Sequence, residues 1–123
     1  MALTYLAATY ANNMLSQITT TGTFMSVNTA SPGTTGANEF GSYTGSRPAI
    51  TWAAASTGTV SSNDTQTFAL TATASSGLTY FGIWNAATGG TYLCGGTTSN
   101  LSGSIPSGAN VTFTSAIILT QAG

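Results

Sequence analysis

The stretch that decides the fold is residues 78–96, LTYFGIWNAATGGTYLCGG. Its first half is a run of aromatic, β-branched and apolar residues that ends at Asn85, and this character resumes at Thr91. The segment between them contains Gly89 and Gly90, which can adopt the positive φ that closes a short loop. The pattern therefore predicts a β-hairpin. Bulky residues occur on both faces of its first strand, so we expect the hairpin to lie at the centre of a sheet.

Charged residues are nearly absent from this chain. Its 123 residues include one Arg, two acidic residues, no Lys and no His, which gives a net charge of -1, while 41% are hydrophobic. Such a length predicts a single domain, residues 1–123, with a core of its own. Three charges cannot cover its surface, which must therefore consist of hydroxyl, amide and backbone groups. A chain of this kind is expected to function inside an assembly.

The same composition argues against several kinds of partner. A single Arg cannot neutralise phosphates, so no nucleic acid is expected, and no basic cluster is present to attract an anionic membrane. No apolar run has the length of a membrane helix. The N-terminus lacks the basic segment of a signal peptide, so synthesis in a cytoplasm is expected.

Catalytic, metal and cofactor sites are not predicted. Hydroxyl nucleophiles have no His or Lys to act as a base, and metal ligands do not occur at diagnostic spacing. A glycosidase would need Glu39 and Asp64 to face each other, and they lie in different predicted loops. Cys94 is the only cysteine, and its apolar strand context predicts a buried, unreactive thiol.

The first residues show the spacing of an amphipathic helix. A helix is predicted from about Thr4, an available N-cap, to Leu15. It belongs to an N-terminal segment, residues 1–22, that ends in a Thr-rich connection. The helix must bury its apolar stripe against a sheet or a neighbouring subunit. Four residues of this stripe are therefore candidate interface residues: Leu3, Leu6, Tyr10 and Met14.

Short alternating segments predict β-strands along the rest of the chain. They are residues 23–27, 49–53, 67–71 and an alternating run from Val111 to the C-terminus. Together with the central hairpin and the Gly-rich turns, they predict an all-β fold, a jelly-roll-like β-sandwich with one short N-terminal helix.

Residues 28–48 form a long predicted loop that is dense in Gly, Pro and Ser. Loops of this length in a compact domain are usually functional or ordered by a partner. The loop contains Glu39 and Arg47, which we expect to form an ion pair that fixes it against the sandwich. Tyr43 lies between them and could pack on the Arg side chain. These three residues are candidate structural and interface residues rather than catalytic ones.

A function of another class remains open at this point. Exposed aromatic rings could stack on sugars and bind a host glycan, although aromatic residues in strands more often belong to the core. A glycan platform requires these rings to be exposed in one patch. The candidates are Trp52, Trp84, Tyr43, Tyr80 and Tyr92.

Three segments resemble a family of small virion proteins of tailed bacteriophages, usually catalogued as tail fibre or minor tail proteins. They are PGTTGANE (32–39) with Gly41, Tyr43 and Arg47; ITW (50–52) with Ala55, Ser56 and Gly58; and FGIWNAATGGT (81–91) with Leu93. The resemblance covers most of residues 24–94. The chain departs from it in the long loop, where residues 28–33 read NTASPG instead of the HTGDPG common in relatives, and where two extra residues separate Tyr43 from Arg47.

The resemblance implies a non-enzymatic virion component, made in the bacterial cytoplasm, with no cofactor and no catalytic residue. Two positions on the particle are open: a capsid decoration (cement) protein, or a tail fibre or minor tail protein. We expect decoration, because one small domain has neither the shaft nor the receptor-binding region of a stand-alone fibre.

The expected partners are the chain itself and other virion proteins, such as the major capsid or tail proteins. A charge-poor chain rich in aromatic residues favours self-association. By analogy with phage shells and fibres, the expected form is a symmetric trimer.

Overall fold

The computed structural model describes residues 7–21, 23–99, 101–114 and 117–120. The described chain has one helix, followed by seven strands that pair only in antiparallel fashion. The predicted all-β fold with one short helix is thus confirmed. In chain order the elements are α1 (Ala8–Thr21), β1 (Phe24–Asn28), β2 (Thr59–Ser61), β3 (Thr65–Ala69), β4 (Tyr80–Trp84), β5 (Tyr92–Thr97), β6 (Asn110–Thr114) and β7 (Ile118–Thr120).

Within these residues the strands form three sheets, in the orders β1-β4-β5, β2-β7 and β3-β6. Strands β4 and β5 are the two arms of the predicted hairpin, and β4 lies between β1 and β5, as the bulk on both of its faces predicts. In the hairpin loop, Gly89 and Gly90 both have positive φ, 60° and 74°. These values would strain any residue that carries a Cβ atom.

The apolar core lies between the three-stranded sheet and the β3-β6 pair. The sheet contributes Met25, Val27 and Ile83 to one buried cluster, and the pair contributes Phe68 and Val111 to the same cluster. The opposite face of the sheet is therefore left for another part of the chain to cover.

Helix α1 begins and ends later along the chain than the sequence predicts. It continues to Thr21, so the predicted Thr-rich connection is helical instead. Hydroxyl groups in this part bond to carbonyls one turn earlier, as Thr21 Oγ1 does to Gln17 O at 2.7 Å, which satisfies these polar groups inside the helix. The predicted N-cap Thr4 and the candidate contacts Leu3 and Leu6 lie outside the described residues.

The buried face of α1 also differs from the predicted stripe. Ala11 and Leu15 are buried, and Ile18 packs against the core, whereas Tyr10 is 65% exposed. The helix is thus rotated relative to the prediction, and Tyr10 remains a candidate contact residue. The side chain of Met14 lies outside the described part of the structure. No helix in that part has the length and apolar character needed to cross a membrane.

The predicted strand at residues 49–53 does not form. This segment makes only isolated bridges, one between Ala49 and Phe24 and one between Trp52 and Ser62. The N–H of Thr51 donates instead to Asp64 Oδ2 at 2.9 Å, so it is not available to a strand ladder.

Candidate functional site

The long loop, residues 28–48, covers the face of the β1-β4-β5 sheet that lies opposite the core. Side chains alternate along a strand, so Ser26 and Trp84 point away from the core residues Met25 and Ile83. Gly36 of the loop lies directly on this outer face, where an added Cβ atom would be 2.7 Å from the Trp84 ring. The loop therefore forms a second layer over the sheet, which requires a glycine at its closest approach.

A chain of buried hydrogen bonds ties this loop to the sheet. Trp84 Nε1 donates to Ser26 Oγ at 2.9 Å, and Ser26 Oγ donates to Asn28 Oδ1 at 2.9 Å. Asn28 Nδ2 then donates to the backbone carbonyl of Ala37 at 2.9 Å, inside the loop. Ser26 and Asn28 are completely buried, so these partners provide the polar contacts that water would otherwise supply.

Arg47 connects the loop to the β4-β5 hairpin. Its Nε and Nη2 donate to the two carboxylate oxygens of Glu39 at 2.7 and 2.8 Å, and its Nη1 donates to the carbonyls of Ala86 and Gly89 at 3.0 and 2.8 Å. The guanidinium carbon lies 3.8 Å from the centroid of the Trp84 ring. The predicted Glu39–Arg47 ion pair is thus confirmed. We call Arg47, Glu39, Trp84 and these two carbonyls the Arg47 clamp.

The expectation that Tyr43 packs on Arg47 is not met, since the ring stacked on the guanidinium is that of Trp84. Tyr43 contacts Phe68 edge-to-face, with ring centroids 4.9 Å apart. Burial raises the pKa of the Tyr43 hydroxyl; the Glu39 carboxylate raises it further and Arg47 lowers it. The sequence contains a signal for the role of Trp84. Trp84 follows Ile83 directly and therefore lies on the opposite face of the strand, where a second segment of the chain must pack over its ring.

The aromatic residues do not form the exposed patch that a glycan platform requires. Trp84 is buried beneath the loop and contacts Tyr92 edge-to-face, with centroids 5.5 Å apart. Trp52 is half-buried and packs against the core. Tyr43, Tyr80 and Tyr92 are also half-buried, and the exposed aromatic ring in the described residues is that of Tyr10.

The other side chains that could take part in chemistry, Asp64 and Cys94, are engaged in hydrogen bonds or partly buried. Asp64 accepts hydrogen bonds from the Thr51 N–H and from Gln66 Nε2, so its partners are separate from those of Glu39. Cys94 is half-buried, and burial raises the pKa of its thiol, which favours the less nucleophilic protonated form. Within the described ranges, no group of three or more His, Cys, Asp or Glu residues could hold a metal ion.

The outer side of the clamped loop is an uncharged, exposed surface. Thr34, Thr35 and Asn38 are exposed on the loop, and Thr88 and Thr91 are exposed on the hairpin that Arg47 holds against it. Rigidly supported loops are where binding residues concentrate. We call these five residues the loop surface. It is suited to a neutral partner, because none of its five residues is charged.

Comparison with protein-family models matches residues 2–120 to the family described as Podophage GP4 fiber I protein gp80. The chain belongs to this family. The match includes both parts of the site, the long loop and the β4-β5 hairpin, and it confirms the phage tail-fibre type of resemblance seen in the sequence. No curated protein and no solved structure gives a significant match. The protein is accordingly a structural component of a phage virion.

Proposed function

We propose that this protein is a non-enzymatic subunit of a podophage fibre. The observation that carries this proposal is the use of its few charges: Arg47, Glu39 and Asp64 bind one another or the polypeptide and hold loops in place. Charged side chains that are engaged in such contacts hold the loops rigid and are not available for catalysis. The description of the family supports a fibre as the location of such a subunit.

Capsid decoration, which the sequence favours on the ground of domain size, is the competing position. The family description supports the fibre instead. A small domain fits a fibre as one subunit attached to other virion proteins, without a shaft of its own. We propose that the loop surface makes such attachments, and that the chain also associates with itself. The sequence predicts a trimer by analogy with phage shells and fibres, whereas a two-fold dimer is the commonest closed form of self-association.

Antibody labelling of purified particles, viewed by electron microscopy, tests the position. A subunit of the fibre should place label on the fibres, and antibody first absorbed with purified protein should remove that label. Label spread over the shell would overturn the fibre assignment and support decoration.

A further inference from the structure

A cleft of about 290 Å³ opens between the two layers of the fold, where the end of β5 approaches β6. Its floor is apolar and includes Met25, Phe81 and Phe113. We call the Thr and Ser residues that line it its rim, and none of the described lining residues is charged. The rim residues that matter below are Thr97, Ser99, Thr112 and Thr114.

One wall of the cleft is the edge of β5 that lies away from β4, and no strand of the described residues pairs with it. The N–H of Thr98 donates to the carbonyl of Thr79 at 2.9 Å, on the side of β4. Successive residues of an antiparallel strand direct their backbone groups to opposite sides. The N–H and C=O groups of Thr97 and Ser99 therefore point away from β4, toward the cleft.

The other wall is the edge of β6 that lies away from β3, which likewise has no paired strand in the part of the chain that the structure describes. The carbonyl of Ala69 accepts a hydrogen bond from the Thr44 N–H at 2.9 Å, so the backbone of Ala69 faces away from β6. Asn110 is the register partner of Ala69 and faces away from β3 for the same reason. Thr112 and Thr114 follow at alternate positions, so their backbone groups also point outward, and both residues line the cleft.

Neither edge carries the features that usually prevent strands from pairing with other chains. Strands β5 and β6 contain no charged residue and no proline, and such residues are the common protection of an edge. Ile117 also lines the cleft, and the neighbouring Ile118 is 62% exposed. The cleft thus offers backbone hydrogen bonds on two sides and an apolar floor between them.

We propose that this cleft is the docking site for a second copy of this chain. In this arrangement the β5 edge of one copy pairs with the β6 edge of the other, and the reverse pairing forms at the same time. A two-fold rotation permits both pairings because both edges border the same cleft, which makes the surface self-complementary. The neutral rim favours a neutral occupant, and only 2% of this chain's own residues are charged. The inference rests on the self-association included in the proposed function and names its surface.

Thr112→Lys tests the proposed surface, with Thr67→Lys as the matched control. Thr67 and Thr112 are register partners in the β3-β6 pair and both are exposed, but only Thr112 lines the cleft. Each copy would then place one added positive charge in the neutral contact, opposite the β5 edge of the other copy, so Thr112→Lys should weaken dimerisation by about tenfold or more in light scattering. Thr67→Lys should leave it unchanged. Matching thermal unfolding of the two variants would show that both remain folded.

Amide hydrogen exchange at low and high protein concentration provides a second measurement. The amides of Thr97, Ser99, Thr112 and Thr114 should become protected as the concentration rises, and those of Thr65 and Thr67 should not. A protein that stays monomeric throughout would overturn the self-association as well as the cleft. An oligomer that forms with these four amides unprotected, or a trimer insensitive to Thr112→Lys, would overturn the cleft alone. Label on the fibres would still support the proposed position in either case.

Discussion

At the scale of single residues, Arg47 shows how a charge can be held inside a nearly uncharged protein. The Arg47 side chain is almost completely buried, at 7% exposure, and that of Glu39 is 25% exposed. A buried guanidinium is tolerated when its charge is paired and its N–H groups have acceptors. The clamp meets both conditions through the Glu39 carboxylate and the two hairpin carbonyls, and it adds the Trp84 ring face.

Replacement of Arg47 should therefore destabilise the protein more than loss of an exposed ion pair would. Arg47→Ala leaves the Glu39 carboxylate and two carbonyls without their donor, which should cost about 3 kcal/mol in the free energy of unfolding. Arg47→Lys keeps the charge but not the planar, bidentate contact, so we expect a loss of about 2 kcal/mol, the size of one hydrogen bond to a charged group. Urea unfolding measures both. Equal stability of the Lys variant and the natural chain would show that the guanidinium geometry is unimportant.

At the scale of elements, strand β4 owes its central position to what lies on its two faces. Ile83 faces the core, whereas Gly82 faces the loop layer, where an added Cβ atom would lie 2.6 Å from Ser26 Oγ and 3.1 Å from Trp84 Nε1. Gly82→Ala should break the Trp84–Ser26 hydrogen bond and cost about 1–3 kcal/mol by overpacking. A fall in melting temperature of roughly 4 °C per kcal/mol would report this cost.

Gly41→Ala is the control for that change within the same protein. Gly41 lies in the long loop, and an added Cβ atom there would have no neighbour within 4 Å. Its melting temperature should change little, and the two variants should differ clearly. If Gly82→Ala melted with Gly41→Ala and the natural chain, Ser26 and Trp84 would not be packed against Gly82 as tightly as described.

The sequence predicts the elements formed by neighbouring residues better than the contacts between distant ones. The β4-β5 hairpin follows from local composition, and the Glu39–Arg47 pair follows because the chain offers few opposite charges. The contact between Arg47 and Trp84 depends on the loop folding over the sheet, which no local pattern encodes. The cleft could not be foreseen either, because its walls come from separate strands, β5 and β6, that meet only in the folded chain.

Two predictions from the sequence are wrong, the strand at residues 49–53 and the end of the helix. Both fail because hydrogen bonds between side chains and backbone stabilise another local structure. Residues 49–53 alternate as a strand does, but Asp64 captures the Thr51 N–H across a separation of 13 residues. Helix α1 continues through a Thr-rich segment because the hydroxyl of Thr21 bonds within the helix. Hydrogen bonds of this kind decide between helix, strand and loop without leaving a periodic pattern.

At the scale of the whole molecule, every charged side chain is engaged inside the structure. Arg47 and Glu39 neutralise each other, and Asp64 binds the Thr51 N–H and Gln66. The net charge is -1, so long-range electrostatic forces between copies should be negligible. Contacts between such surfaces depend on apolar burial and on hydrogen bonds, which salt screening does not weaken.

Self-association of the natural chain should therefore be almost independent of sodium chloride between about 0.1 and 1 M, although the Debye length falls from about 10 Å to about 3 Å over that range. Ammonium sulfate should strengthen it, because sulfate is excluded from apolar surface. Thr112→Lys should behave differently and regain association as sodium chloride screens its added charges, whereas Thr67→Lys should follow the natural chain. Sedimentation at equal protein concentrations compares the three proteins. A natural chain that dissociates steeply with sodium chloride would mean that charge, not neutral surface, holds the copies together.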